Sequence, residues 1–370
     1  MKILFILNGL DLGGAENYTV SLMNTMNDKG HDIYLKVLSN ELKLRYKLNT
    51  LIKLEILQRN WSVDINVLKK LILDIKKNDY NAIISSSIVY ARTIMFFSKK
   101  TIPVIYPIHS TISLSLKYYI INYILFKTRC KREIFVSSVE SQTKYLCKKY
   151  SLWETFFDQI YNGVNINQFK LMPEDFNREK FLKGYGINSS DKILLMVAGY
   201  RPEKGHSIAI NAFKMLSKEI PDLCLIFVGN DPFNKKKTIE ETVSELKGKI
   251  VLFDNINEED LIRFYWSAEM FTLTSFHEAF PISALEAMAT GLPCVLTNVG
   301  GANNIILSGR NGELATVNDL FSIKESWKKV LMNKDRYCKE NIRLHIVNNY
   351  SLESATNNYI DLIKKYKKYQ

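Results

Sequence analysis

Residues 270–296 read MFTLTSFHEAFPISALEAMATGLPCVL and contain two apolar runs with a short helical pattern between them. The runs Met270–Leu273 and Pro293–Leu296 predict two buried strands. Pro281 suits the first position of the helix and Gly291 the residue just after its end, because proline favours helix starts and glycine favours helix ends. A strand, a helix and a second strand in this order indicate parallel pairing through a helical crossover.

The same alternation extends along the chain in both directions. Strands are predicted in an N-terminal series at Ile3–Leu7, Ile33–Leu38, Ala82–Ile84, Pro103–Tyr106 and Ile134–Val136, and in a C-terminal series at Lys192–Ala198, Leu223–Val228, Ile250–Phe253, Met270–Leu273 and Pro293–Leu296. Helical patterns separate the strands within each series. We therefore predict an α/β protein with two doubly wound, Rossmann-like parallel sheets.

The chain has 370 residues, which exceeds the usual size of one domain and suits two. An Asn-Gly turn at 162–163 and an irregular polar stretch at 169–191 separate the two series of strands. We predict an N-terminal domain over 1–165, a C-terminal domain over 166–350, and a terminal helix over 351–370 that returns to the N-terminal domain. Ligands of such sheets bind beyond the carboxyl ends of the strands, so the loops there are the candidates for chemistry.

The cysteines and the apolar runs of the sequence argue against several classes of protein. The five cysteines are scattered and none forms a C-x-x-C pair, so neither a disulfide framework nor a zinc site is indicated. The apolar run Ile3–Leu7 is interrupted before a signal-peptide core is complete, and no apolar run approaches the about 20 residues of a transmembrane helix. We expect a cytoplasmic protein that is either soluble or peripheral at the inner face of a membrane.

The net charge of +12 is concentrated in the N-terminal half of the chain. Residues 1–165 contain 23 Lys and Arg against 13 Asp and Glu, whereas residues 166–370 contain 27 against 25. Lysine on solvated faces explains such an excess, and so does attraction to anionic lipid or to a phosphorylated acceptor. The aromatic segment 116–132 ends in a cationic cluster, and is either a buried helix or a helix lying on an anionic membrane surface. Nucleic acid is not an expected partner, because the sequence has neither a recognition-helix pattern nor an aromatic RNA-binding signature.

Two positions after N-terminal strands are candidates for ligand contact. Gly13 and Gly14 lie in the loop 8–16, where glycine lets the backbone approach a ligand or simply form a tight turn. The loop lacks the G-x-G-x-x-G pattern, so a nicotinamide enzyme is not indicated. His109 follows the strand Pro103–Tyr106 at its carboxyl end, where a structural and a functional role are equally expected.

A cationic loop follows the first strand of the C-terminal series. Arg201 and Lys204 lie three residues apart before a predicted helix. They either neutralise a diphosphate or remain solvated surface charges. We interpret His206, close behind them, as a surface or capping residue rather than a catalyst.

Two carboxylates lie at the predicted helix of the stretch 270–296. Glu278 lies in the loop before this helix, where it can accept hydrogen bonds from sugar hydroxyls. The segment Phe280-Pro281-Ile282 brings the helix start, with its free N–H groups, towards a phosphate or hydroxyl. Glu286 lies inside the helix among apolar residues and needs a partner if it is buried; a ribose diol is one candidate. For both carboxylates a structural ion pair is the alternative.

In this order the segments resemble the retaining family-4 glycosyltransferases of the GT-B fold, a bacterial group that builds cell-surface glycans. The resemblance covers nearly the whole chain, and its most specific mark is Glu278 with seven residues before Glu286. It implies that Gly14 lies against the donor phosphates or the reaction centre, and that Arg201 and Lys204 bind the diphosphate. It also implies that Glu278 contacts the transferred sugar and Glu286 the ribose.

The resemblance extends to the substrates. It implies a nucleotide-diphosphate sugar as donor, with a UDP-sugar favoured, and a glycan or lipid-linked saccharide as acceptor. His109 would lie beside the donor sugar, and the leaving phosphate would help to deprotonate the acceptor, so that no protein nucleophile is required. Because the sequence has no Asp-x-Asp motif, we expect neither a required metal nor another cofactor.

The chain departs from the family pattern at three positions. Gly199 stands where many members have an arginine five residues before the lysine, Ala279 replaces the usual glycine after the first glutamate, and Asn304 replaces a frequent acidic residue. Two other classes of function remain open. One is a different GT-B activity, such as a nucleotide-sugar epimerase or a phosphorylase; the other is a non-catalytic subunit that binds a glycan or a nucleotide.

Overall fold

The computed structural model describes residues 1–61, 63–98, 101–108, 123–124, 126–128, 133–154, 157–231, 234–246, 248–254 and 256–367. The chain divides into two compact units. The first consists of Met1–Gly163 together with Leu352–Gln370, and the second of Val164–Ser351.

The strands of the first unit are β1 (Lys2–Leu7), β2 (Asp32–Val37), β3 (Lys53–Ile56), β4 (Ala82–Ser85), β5 (Val104–Ile108), β6 (Glu133–Ser137) and β7 (Phe157–Gln159). They form a seven-stranded sheet in the order β3-β2-β1-β4-β5-β6-β7, and neighbouring strands are parallel. The central strands β1 and β4 are apolar and buried, as expected where helices cover both faces of a parallel sheet.

Helices follow most of these strands: α1 (Gly14–Asp28), α2 (Ile65–Lys77), α3 (Ile88–Ser98) and α4 (Glu140–Tyr150). Helix α2 shows how the sequence specifies the start and the buried face of such a helix. Asp64 caps this helix by accepting hydrogen bonds from the N–H groups of Asn66 (2.9 Å) and Val67 (3.3 Å). Val67, Leu71 and Ile75 recur at a spacing of four residues and are buried, so this face packs on the core of the unit.

The strands of the second unit are β8 (Lys192–Val197), β9 (Leu223–Val228), β10 (Ile250–Phe253), β11 (Met270–Leu273), β12 (Cys294–Thr297) and β13 (Gly312–Ala315). They form a parallel six-stranded sheet in the order β10-β9-β8-β11-β12-β13. The helices are α5 (Arg178–Gly184), α6 (His206–Leu216), α7 (Lys236–Thr242), α8 (Glu258–Ser267), α9 (Ile282–Ala289), α10 (Ala302–Ile305), α11 (Leu320–Met332) and α12 (Lys339–Asn349).

The last helix, α13 (Leu352–Lys367), belongs to the first unit and packs against α1. Tyr359 and Ile363 lie on its buried face, with 2% and 0% of their surface exposed. An ion pair between Lys29 and Glu353 (2.9 Å) adds a contact at the surface, where such pairs contribute little. Burial of the apolar face therefore holds α13 in the unit.

The two doubly wound parallel sheets predicted from the sequence are confirmed. Each predicted strand corresponds to a strand of the structure within one or two residues at its ends. Three edge strands, β3, β7 and β13, were not predicted. They have three or four residues each, and β3 has no buried residue, so the apolar run that indicates a strand is missing.

The sequence also predicted where helix α9 begins and gave two interpretations of the segment 116–132. The helix predicted to begin at Pro281 begins one residue later, and Pro281 is its N-cap with an extended backbone. Of the segment 116–132 only 123–124 and 126–128 are described, so both interpretations of it stay predictions. Among the described helices, none combines the length and the hydrophobicity that a transmembrane segment requires.

We predict that Ile363→Ala destabilises the first unit by about 2–5 kcal/mol, because it removes apolar atoms from a packed site and leaves a cavity. Urea denaturation, with hydrogen exchange of α1 as the local probe, measures the effect. The matched control is Ile65→Ala, since Ile65 is 67% exposed and its loss should change stability by less than about 0.5 kcal/mol. Equal effects of the two substitutions would contradict the packing of α13 against α1.

Candidate functional site

Three loops meet at one edge of the second sheet. They follow β8, β11 and β12, and these strands are neighbours in the sheet. Because the strands are parallel, their carboxyl ends lie at the same edge. The loops contain the cationic segment 198–205, the acidic segment 274–281 and the Gly-Gly turn at 300–301.

Glycine lets these loops approach one another at backbone distance. Gly205 has φ +72°, and a Cβ there would lie 2.1 Å from the carbonyl oxygen of Thr274. Gly300 has φ +54°, and a Cβ there would lie 2.1 Å from the carbonyl oxygen of Glu278. At both positions the left-handed backbone and the close contact exclude a larger side chain. Main-chain hydrogen bonds complete the assembly, from Phe276 to Glu203 (2.8 Å) and from Gly301 to Ala279 (2.9 Å).

Lys204 and Glu278 form an ion pair at the centre of this edge. The Lys204 Nζ lies 2.7 Å from Oε1 of Glu278, and the Ser275 hydroxyl donates to the same oxygen over 2.8 Å. The two side chains are 25% and 11% exposed, so solvent screens the pair less than at an open surface. The structure thus brings together two residues that lie 74 positions apart in the chain.

The start of α9 presents backbone donors at the same loop. No side chain among the described residues caps this helix, and its first intrahelical N–H donor is Ala284, which binds the carbonyl of Pro281 (3.1 Å). The N–H groups of Ile282 and Ser283 precede it and therefore have no partner within the helix. Phe280 is buried against Tyr350, which fixes the direction in which the chain enters α9.

Glu286 lies one turn further along α9, is half-buried, and has a neighbour that the sequence did not reveal. The hydroxyl of Tyr265 on α8 donates to Oε2 of Glu286 over 2.9 Å. Burial, together with the adjacent carboxylate, raises the pKa of Tyr265 well above its usual value. Ser275 was also missed, although it stands only three residues before Glu278. Tyr265 left no local signal, because it lies 21 residues from its partner.

Arg201 and Gly199 occupy the cationic loop beside Lys204. Arg201 is exposed and precedes the 3-10 turn Pro202–Lys204. A Cβ at Gly199 would lie 2.6 Å from Oδ1 of Asn230. A side chain at position 199 would therefore require the Asn230 side chain to move.

The interpretation of His206 as a surface or capping residue was wrong. Only 5% of its surface is exposed, and its ring packs between Tyr200 and Phe227, with centroid distances of 5.1 Å to each. Burial lowers the pKa of His206 to about 4, and the nearby Lys204 acts in the same direction. The imidazole is therefore a neutral part of the core beneath the cationic loop.

The glycine loop 8–16 belongs to the first unit. Gly13 is the N-cap of α1 and Gly14 is the first residue of the helix, which no side chain in the described part of the chain caps. A Cβ at Gly14 would meet no heavy atom within 4 Å among the described residues, so the space beside this helix start is open. His109, the other candidate of this unit, lies outside the described residues.

Among the described residues of the two units, no group of three or more His, Cys, Asp or Glu side chains is arranged to hold a metal ion.

Two family models together match most of the chain. Residues 12–168 match the model "Glycosyltransferase Family 4", and residues 177–345 match "Glycosyl transferases group 1". Both halves of the chain are thus similar to glycosyltransferase domains.

Curated relatives are similar at a lower level of identity. The chain is 26% identical over 253 residues to "UDP-Gal:alpha-D-GlcNAc-diphosphoundecaprenol alpha-1,3-galactosyltransferase" of Escherichia coli, covering 65% of this chain and 62% of that protein. It is 27% identical over 206 residues to "Mannosylfructose-phosphate synthase" of Agrobacterium fabrum, covering 51% and 45%. The chain thus spans less than two thirds of the length of these relatives.

Solved structures match over nearly the full length. Anabaena HepE in complex with UDP-glucose has a TM-score of 0.84 at 17% identity, covering 99% of this chain and 100% of that chain. WaaG, a glycosyltransferase involved in lipopolysaccharide biosynthesis, has a TM-score of 0.75 at 18% identity, covering 98% and 99%. These similarities establish the GT-B fold.

We predict that Gly300→Ala destabilises the second unit by at least about 2–3 kcal/mol, because a side chain there adds a clash with the Glu278 carbonyl to the strain of a left-handed residue. The matched control is Gly248→Ala. Gly248 also has a positive φ (+86°), but a Cβ there meets no described heavy atom within 4 Å. We therefore expect Gly248→Ala to lose only about 1 kcal/mol of stability, from backbone strain without a clash. Urea denaturation and hydrogen exchange of residues 275–281 measure both variants. Equal losses would show that the loop contact does not constrain position 300.

A second prediction concerns acid stability. Because the pKa of His206 is lower in the folded state, stability is fully present above pH 6.5 and is lost as the pH falls towards 4, by up to about 3 kcal/mol. His206→Phe keeps an aromatic ring in place and cannot be protonated, so its free energy of unfolding should fall less over this range. Urea denaturation at stepped pH checks the difference in slope. Parallel curves for the two proteins would rule out a role for His206.

Proposed function

We propose that this chain, which belongs to the GT-B glycosyltransferases with a Family 4 half and a group 1 half, moves a sugar from a nucleotide-diphosphate donor to a growing cell-surface glycan with retention of configuration. The observation that carries the proposal is the Lys204–Glu278 pair beside the start of α9, which no described side chain caps. One cation, one carboxylate and free backbone donors at one sheet edge suit a ligand that combines a diphosphate with sugar hydroxyls.

The diphosphate is assigned to Lys204, Arg201 and the N–H groups at the start of α9. Glycosyl transfer places negative charge on the departing diphosphate, so fixed positive charge and helix N–H groups lower the barrier. Lys204 Nζ lies 2.7 Å from Oε1 of Glu278. When the diphosphate binds, Lys204 turns to it, and Glu278 becomes available to hydroxyls of the transferred sugar. The pair therefore couples recognition of the phosphate to recognition of the sugar.

Glu286 is assigned to the ribose of the donor. It lies on α9 one turn beyond the proposed phosphate donors, and its half-buried carboxylate is fixed by the Tyr265 hydroxyl. A carboxylate accepts hydrogen bonds from both hydroxyls of a ribose. We favour a UDP-sugar, since the Anabaena neighbour is described in complex with UDP-glucose and the Escherichia coli relative is named for UDP-Gal. Neither a metal nor a protein nucleophile is part of the proposed reaction, in which the leaving phosphate assists deprotonation of the acceptor.

The acceptor is assigned to the first unit. The family resemblance assigns Gly13, Gly14 and His109 of this unit to the reaction, and these assignments stay predictions. A lipid-linked saccharide at the cytoplasmic face of a membrane fits the excess of Lys and Arg over 1–165. The Escherichia coli relative is named for a diphosphoundecaprenol-linked acceptor, which supports this class of acceptor. Of the two interpretations of the segment 116–132, the membrane-surface helix would provide a contact with anionic lipid, whereas the buried helix would not.

Thermal shift with UDP, GDP, ADP and CMP tests the donor. One diphosphate is expected to stabilise the wild type by about 2.7 kcal/mol at 100 times its dissociation constant, and Lys204→Ala should reduce both this shift and the transfer rate, the latter by about 100-fold. Lys214→Ala is the matched control, because Lys214 is an exposed lysine on α6. If no nucleotide shifts the wild type, or if the two lysine variants behave alike, the proposed donor site is wrong.

A further inference from the structure

We infer that Tyr265 is a positioning residue for the donor: its hydroxyl fixes the Glu286 carboxylate in the orientation in which it receives the ribose. This inference rests on the proposed function, because it assigns a supporting residue to the same site. The two side chains come from different helices, Tyr265 from α8 and Glu286 from α9, and meet through a hydrogen bond of 2.9 Å.

The hydroxyl of Tyr265 is held in place from several sides. Only 1% of the residue is exposed, and the ring lies against Phe169 and Phe271, with centroid distances of 6.1 Å to each. The hydroxyl also lies 3.3 Å from the carbonyl oxygen of Ser283, one turn before Glu286 on the same helix. Packing fixes the ring, and the hydroxyl reaches both the backbone and the carboxylate of α9.

This arrangement makes Tyr265 a permanent hydrogen-bond donor. Burial beside a carboxylate raises the pKa of Tyr265, so its hydroxyl keeps its proton and can donate to the nearby acceptor. Oε2 of Glu286 receives this bond, and the carboxylate cannot rotate freely about its last torsion without losing it. A glutamate on a helix otherwise loses considerable side-chain entropy when it binds a ligand. Tyr265 removes part of that cost before the donor arrives.

The test compares binding of UDP, 2′-deoxy-UDP and 3′-deoxy-UDP by calorimetry to the wild type, Tyr265→Phe, Glu286→Ala and the double variant. Glu286→Ala should weaken UDP binding by about 10- to 100-fold and abolish the preference for UDP over the deoxy forms. Tyr265→Phe keeps the ring and should weaken UDP binding by about 3- to 10-fold, with a smaller preference for the intact ribose. In the double variant, Tyr265→Phe should add no further loss, because its effect passes through Glu286.

The outcomes separate this inference from the proposed function. If Glu286→Ala binds all three nucleotides as the wild type does, the proposed ribose site fails. If Glu286→Ala weakens binding but Tyr265→Phe does not, only the role of Tyr265 is overturned. Equal losses from Tyr265→Phe in the presence and absence of the Glu286 carboxylate would likewise overturn it. Steady-state kinetics supply a second readout, in which Tyr265→Phe raises KM for the donor more than it lowers kcat.

A matched control excludes a general effect of losing a buried hydroxyl. Tyr337 is 5% exposed and donates to Oε1 of Glu313 over 2.9 Å in the same unit. Tyr337→Phe therefore removes a comparable tyrosine–glutamate bond away from the proposed site, and should leave UDP binding and ribose preference unchanged. Should Tyr265→Phe fail to fold, Tyr265→Met, which lacks the hydroxyl and adapts to irregular cavities, replaces it.

Discussion

The close approach of three loops at the carboxyl edge of the second sheet is the constraint on which the candidate site depends. Parallel pairing of β8, β11 and β12 carries their loops to the same edge, but it does not by itself let them touch. Contact at backbone distance requires that Gly205 and Gly300 have no side chain, since a Cβ at either would lie 2.1 Å from a carbonyl oxygen of the acidic loop. With the backbones in contact, Lys204 reaches Glu278, and the start of α9 is held beside the pair.

Each of the two glutamates at this edge has a hydrogen-bond partner within the chain, which stabilises the folded site. A half-buried carboxylate without a partner is costly, and each of the two glutamates has one: Lys204 and Ser275 for Glu278, and Tyr265 for Glu286. The partners differ in kind. Lys204 is a flexible cation that another anion can attract away, whereas Tyr265 is a rigid, buried neutral donor. In the proposed reaction the first contact is exchanged on binding and the second is retained.

Much of the fold could be predicted from the sequence, because each buried parallel strand is a continuous apolar run and each crossover has a helical pattern. The prediction failed where the local sequence does not show whether a residue is buried. The edge strand β3 has no buried residue, and His206, read as a surface residue, is 5% exposed. Nothing in the residues next to His206 indicates that Tyr200 and Phe227 enclose it, since Phe227 comes from the neighbouring strand β9.

For the candidate site, the sequence by itself determined which residues are candidates: Lys204 in a loop after a strand, Glu278 before a helix, and Glu286 within it. Local spacing was sufficient, because the signals of a strand end, a helix start and a glycine turn lie within a few residues of one another. Only the tertiary structure decided which groups meet. Lys204 pairs with Glu278 across 74 residues and Tyr265 with Glu286 across 21. Both contacts are set by the order of strands in the sheet and the packing of helices on it, which depend on interactions distant in the chain and leave no local pattern.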